Sequence, residues 1–181
     1  MDAAKIVSKI SKEHGIIKNV YFLACGGSLV DLYPGYYFVR AESAVMDAQW
    51  IPAREFALTP PKKLGKDSLL IICSHSGKTK ECLEAAKVGI NAGAAVVTMT
   101  HAPGSPCDCE EWISVVYDWA PGVKEAQKPQ GIVLGILNEL MKAQEPGYTF
   151  YSSIKEGFEK IVDELRLGMV NAITCDNFHL K

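Results

Sequence analysis

An excess of charge of one sign is missing from this chain. Nineteen Lys and Arg stand against 21 Asp and Glu, a net charge of −2 over 181 residues. That leaves no basic field for a phosphodiester backbone, and no Lys/Arg cluster is interleaved with aromatics, so no nucleic-acid partner is expected. No apolar run approaches the roughly 18–20 residues that cross a bilayer, so no membrane segment is expected either. Residues 1–14 are polar and of mixed charge, unlike a signal peptide, and a cytoplasmic location is the expectation. The dinucleotide pattern Gly-x-Gly-x-x-Gly is absent. Gly77-Lys78-Thr79 invites a nucleotide P-loop, but that motif needs glycine five positions earlier, where Ile72 stands. Among six cysteines, Cys107 and Cys109 form only Cys-x-Cys, with His101 nearby and no second ligand pair. No metal and no cofactor are expected.

What the chain does have is a short, uninterrupted apolar run, 69–73, followed by Ser74-His75-Ser76-Gly77-Lys78-Thr79-Lys80-Glu81. The run is short and β-branched enough to be a strand buried on both faces. Behind the loop, Cys82, Ala85, Ala86, Gly89 and Ile90 recur at helical spacing on one face. Strand, hydroxyl-rich loop with one glycine, then helix is how an open α/β sheet builds an anion site. The helix start offers unpaired N–H groups and the positive end of its dipole, and Ser74, Ser76 and Thr79 add hydroxyl donors. Serine and threonine also cap helices with no ligand involved, but three hydroxyls in six residues after a buried strand favour a phosphate cradle.

The rest of the chain alternates in the same way. A short helix over 1–15 precedes a strand at 20–24, which ends in Cys25-Gly26-Gly27-Ser28, a turn that lets backbone approach a ligand. Residues 29–41 read as a helix made irregular by Pro34 and Gly35, and 43–48 as a short strand. A small helix is expected to start within 52–56, a helix over 78–92, a fourth strand over 94–100 and a fifth over 112–117. A helix over 132–143 has Ile132, Ile136, Leu137, Leu140 and Met141 facing inward, and a last amphipathic helix spans 153–169. These elements predict a three-layer, doubly wound α/β sandwich with a five-stranded parallel sheet. Ligands in such sheets bind beyond the carboxyl ends of the strands, where both loops fall.

Ala24-Cys25-Gly26-Gly27-Ser28 and Ser74 to Glu81 together resemble the sugar-isomerase (SIS) domain, a flavodoxin-like fold. Its signature is Cys-Gly-x-Ser after the first strand and Ser-x-Ser-Gly-x-Thr-x-Glu after a later one. The resemblance runs from about Val20 to Ala143. With Arg54-Glu55-Phe56 and Ser105-Pro106, it is similar in particular to the first half of fructosamine-6-phosphate deglycases of the fructoselysine or fructose-asparagine type. These are related to the isomerase domain of glutamine–fructose-6-phosphate aminotransferase. The resemblance implies phosphosugar contacts at Gly26, Gly27, Ser28, Ser74, His75, Ser76 and Thr79. It implies a lid over 124–128, with Glu125, Ala126 and Lys128, although the aminotransferase pattern Val-Ala-Ser-Thr-Lys is kept only at Ala126 and Lys128.

Such deglycases resemble two SIS domains in one chain, with the catalytic Glu and His in a Gly-Glu-Phe-x-His-Gly-Pro stretch of the second half. That stretch is absent here. The expected organisation is a short N-terminal helix (1–18), a phosphosugar-binding domain (19–150) and a connection toward a second domain (151–181). Glu55, Glu81 and Glu125 read as surface or capping carboxylates, which leaves His75 as the local acid/base candidate. Three function classes remain open. One is the binding half of an isomerase or deglycase that converts fructosamine 6-phosphate to glucose 6-phosphate and amine. The second is a stand-alone oligomeric isomerase, and the third a non-catalytic sensor of a sugar phosphate such as fructose 6-phosphate. A homodimer is expected.

Overall fold

The computed structural model describes residues 2–149. Helix α1 (Ala3–His14) is capped by Asp2, whose carboxylate accepts from the Ala4 amide, and it buries Ile6, Val7 and Ile10. Strand β1 (Asn19–Ala24) leads into α2 (Gly27–Asp31) and α3 (Tyr33–Glu42). Strand β2 (Asp47–Pro52), α4 (Ala53–Leu58), β3 (Ser68–Cys73), α5 (Lys80–Asn91), β4 (Ala95–Thr100) and β5 (Ile113–Val116) follow. A 3-10 turn (Glu125–Gln127) precedes α6 (Pro129–Gln144).

All strand pairs are parallel, in the order β2-β1-β3-β4-β5. β1, β3 and β4 are buried at every position, as their unbroken apolar runs require when helices cover both faces. Side chains alternate between two cores. Tyr21, Leu23, Leu70, Ile72 and Val96 meet Phe56 of α4 and Cys82, Ala85 and Ala86 of α5. On the other face, Phe22 meets α3 and α6, where Gly35 is so tightly packed that a Cβ would lie 2.3 Å from Val133 and 2.9 Å from Phe22. The strand order reverses between β1 and β3, and Ala24 pairs with Cys73. The loops after these two strands therefore leave the sheet side by side, at its switch point.

Several expectations are corrected. The helix expected over 29–41 is two helices, α2 starting at Gly27 and α3 starting at Tyr33, with the break at Leu32. Pro34 occupies the first turn of α3, where its missing N–H costs nothing. The strand expected at 43–48 lies at Asp47–Pro52 instead. Ser43 begins a turn: its hydroxyl accepts from the Met46 amide at 2.8 Å and donates to Glu145. Pairing with β1 starts only when the Asp47 amide reaches the Lys18 carbonyl at 2.8 Å. On α5 the buried stripe ends at Gly89, and Ile90 is exposed. Ile132 is half-buried, and Val133 takes its inward place. The helix expected at 153–169 and the connection over 151–181 lie outside the described residues.

Candidate functional site

The loop after β3 is a tight turn closed by the Gly77 amide donating to the Ser74 carbonyl at 2.9 Å. Gly77 sits at φ +65°, and a Cβ there would fall 1.9 Å from Ser105 Oγ and 2.7 Å from Thr100 Oγ1. Only glycine meets both conditions. The loop after β4 is thus pressed against the turn. It holds on through the Cys107 amide, which donates to the Gly77 carbonyl at 3.0 Å, and through the His101 amide on the His75 carbonyl at 3.2 Å. The Cys107 carbonyl in turn accepts from Thr98 Oγ1 at 2.6 Å and Trp112 Nε1 at 3.0 Å. Burial first, offset by the Ser74 hydroxyl, pushes the Cys107 thiol up to about 11. Cys107 is a brace in this loop, and no group of three or more metal-ligating side chains is assembled among the described residues.

Helix α5 begins without a side-chain cap. Thr79 is the N-cap, but its hydroxyl turns to Ser74 Oγ at 2.8 Å. Ser74 is buried, so the three hydroxyls do not form the uniform open row that their spacing predicts. Ser74 lies beneath and orients Thr79, while Ser76 is exposed above, its hydroxyl accepting from the Lys78 amide at 3.3 Å. The first amides of α5 and the positive end of its dipole stay available to an anion.

The loop after β1 reaches the same place. Gly26, at φ 60°, turns the chain into α2, which carries Gly27 and Ser28 on its first turn. Burial raises the Cys73 thiol to about 12, partly offset by the nearby Tyr117 and Ser28 hydroxyls. Tyr117 also bonds His75 Nδ1 at 2.9 Å, and its own ionisation is pushed upward, chiefly by burial. Asp31, at the end of α2, is raised by burial and lowered by the nearby His75 imidazole. Its carboxylate accepts from Gln130 Nε2 at 2.6 Å.

The structure thus brings together Ser74, His75, Ser76 and Thr79 on one turn, with Ser28 on the loop that leaves the sheet beside it. The residues expected to form a lid lie just ahead of α6, Glu125 and Ala126 in the 3-10 turn and Lys128 at the N-cap position. Lys128 caps that helix and pairs with Glu125 at 2.5 Å, and the backbone of Glu125 and Ala126 packs on Gly131, where a Cβ would meet the Glu125 carbonyl at 2.2 Å. Gln130 links the first turn of α6 to Asp31 beside the site. Glu55 is in α4 and Glu81 in the first turn of α5, where its charge favours the dipole. Sequence reasoning missed Asp31, His101, Tyr117, Trp119 and Gln130. The carboxyl-end rule applied to β4 and β5, not only to β1 and β3, would have found His101 and Tyr117. Two grooves lined in common by Lys9, Glu110, Trp112 and Ile113 run beside α1 and β5, and none of the candidate residues lines either.

No protein-family model matches the chain. It is 34% identical over 145 residues to fructosamine deglycase FrlB of Bacillus subtilis, covering 80% of this chain and 44% of that one. It is 31% identical over 163 residues to the isomerizing glutamine–fructose-6-phosphate aminotransferase of Clostridium tetani, covering 87% of this chain and 26% of that one. A solved structure from Salmonella typhimurium LT2, provisionally named a phosphosugar isomerase, superposes with a TM-score of 0.80 at 34% identity. It covers 90% of this chain and 49% of that one. The chain spans half or less of the length of these relatives. Its sheet, its two hydroxyl-bearing loops and these similarities agree: the chain belongs to the SIS family of phosphosugar isomerases and deglycases.

Proposed function

We propose that the chain binds the phosphate of a phosphosugar between the loop 74–79 and Ser28. The phosphate rests on the Ser76 and Thr79 hydroxyls and on the first amides of α5, with Ser74 and Gly77 fixing the shape of the turn. The emergence of the β1 and β3 loops side by side at the switch point, with Ala24 paired to Cys73, is the observation that carries this reading. The similarity to a fructosamine deglycase makes fructosamine 6-phosphate and its product glucose 6-phosphate the leading ligands. The chain then serves as the phosphosugar-binding half of a two-domain enzyme, in which proton transfer at the sugar carbons belongs to a second domain. A cytoplasmic setting and pairing of two copies belong to the same reading. Pairing is supported by three exposed apolar side chains, Val30 on α2 and Tyr33 and Tyr37 one turn apart on α3.

Calorimetric titration with glucose 6-phosphate tests the cradle. Ser76→Ala removes one charge-assisted hydrogen bond and is expected to cost about 1.5–3 kcal/mol, a roughly tenfold to hundredfold loss of affinity. Ser76 is exposed, so the fold should be unaffected. An affinity unchanged by the substitution would contradict the assignment. Incubating the chain with fructoselysine 6-phosphate tests the division of labour: release of lysine at an ordinary enzyme rate would place the acid/base groups here, with His75 the first suspect.

A further inference from the structure

Four rings gather just past the carboxyl ends of three adjacent strands. His75 follows β3, His101 follows β4, and Tyr117 and Trp119 follow β5. The imidazoles of His75 and His101 stack at 5.0 Å with 19° between their planes. Their orientations are fixed from behind. His101 Nδ1 faces the Tyr117 carbonyl at 3.0 Å, an acceptor only, so that nitrogen carries the hydrogen. Tyr117, itself buried, holds His75 through its hydroxyl.

Trp119 stands in front of this assembly, edge-on to His75 at 5.7 Å and to Tyr117 at 6.3 Å. It remains 44% exposed, and among the described residues its indole N–H has no hydrogen-bond partner. A single exposed aromatic needs no special explanation. This one, however, is held at right angles to a histidine whose two chain neighbours are the cradle residues Ser74 and Ser76. An ordered aromatic face with a spare donor beside an anion site suits a ligand that has C–H surface and hydroxyls as well as phosphate.

We propose that Trp119, backed by His75 and His101, is the wall on which the carbon skeleton of a phosphorylated hexose lies once its phosphate is seated. Trp119 is thereby a specificity residue that separates hexose phosphates from bare phosphate and from short phosphate esters. This rests on the phosphosugar reading above, and the experiment keeps the two apart.

The intact chain and its Trp119→Ala, Trp119→Phe and Ser76→Ala variants are titrated with glucose 6-phosphate, glycerol phosphate and inorganic phosphate. The wall predicts that Trp119→Ala weakens glucose 6-phosphate about tenfold and inorganic phosphate less than about twofold, a contact comparable to other ring-stacking contacts. Trp119→Phe, which keeps a ring, should retain most of the preference, and Ser76→Ala should weaken all three ligands. If Trp119→Ala leaves the preference for glucose 6-phosphate over phosphate intact while Ser76→Ala still weakens both, the wall is wrong and the cradle stands. If the intact chain binds none of the three, the cradle itself fails and the wall falls with it.

Discussion

Gly77→Ala is expected to cost about 3 kcal/mol of stability and to weaken glucose 6-phosphate binding roughly tenfold or more, since left-handed strain and overpacking add. The two contributions have separate origins. The positive φ of Gly77 is unfavourable for alanine whatever the surrounding space. Independently, the new methyl would meet Ser105 Oγ at 1.9 Å and Ser105 Cβ at 2.5 Å. Serine is too short to swing clear, and its buried hydroxyl has no hydrogen-bond partner to lose. Relief must come from the loop itself, which is tied down where the Cys107 amide meets the Gly77 carbonyl. Adding Ser105→Gly to Gly77→Ala should recover the Ser105 part of the packing share, about 1–3 kcal/mol, and leave the strain and the approach to Thr100 Oγ1 at 2.7 Å. Urea denaturation of the two single variants and the double variant measures this coupling. Strictly additive effects would show that the loop after β4 does not hold the cradle in shape.

Phe56→Ala is expected to be the most damaging substitution outside the site, at about 3–5 kcal/mol, or on the order of 10 °C in melting temperature. Phe56 is fully buried, with its ring 5.4 Å from that of Tyr21, and it shares a core with Cys82, Ala85 and Ala86 of α5. Truncation removes support from the helix whose first turn carries the proposed cradle, so binding should weaken along with stability. One feature limits the loss. The Tyr21 hydroxyl is buried without a partner, so a cavity at Phe56 can admit water that satisfies it. Thermal melts with and without saturating glucose 6-phosphate measure both effects. A change below about 1 kcal/mol would show that α4 does not pin α5 to the sheet.

The strands at the centre of the sheet were legible because burial on both faces leaves a plain signal. The runs ending at Ala24, Cys73 and Thr100 are strands to within a residue of expectation. The edge strand was not, because β2 is only partly covered and its alternation is interrupted by polar Asp47 and Gln49. The start of the strand expected at 43–48 is instead a turn fixed by the Ser43 hydroxyl and by Glu145, a partner about a hundred residues away. The loop 74–79 could be placed as the link between a buried strand and a helix. What could not be read locally was the division of roles within it. Ser74 is turned inward to Thr79, and Gly77 is demanded by Ser105, a residue on another loop. The ring cluster was hidden for the same reason, since His101 and Tyr117 acquire meaning only when β4 and β5 stand beside β3.

On the proposed reading, a sugar phosphate sits on the turn 74–79. A crystal structure of the chain with glucose 6-phosphate tests this most directly. The phosphate oxygens should lie within about 2.5–3.2 Å of the Ser76 and Thr79 hydroxyls and of the amides that open α5, with Ser28 on the opposite side. A phosphate bound elsewhere on the chain, with the turn 74–79 untouched, would contradict the account.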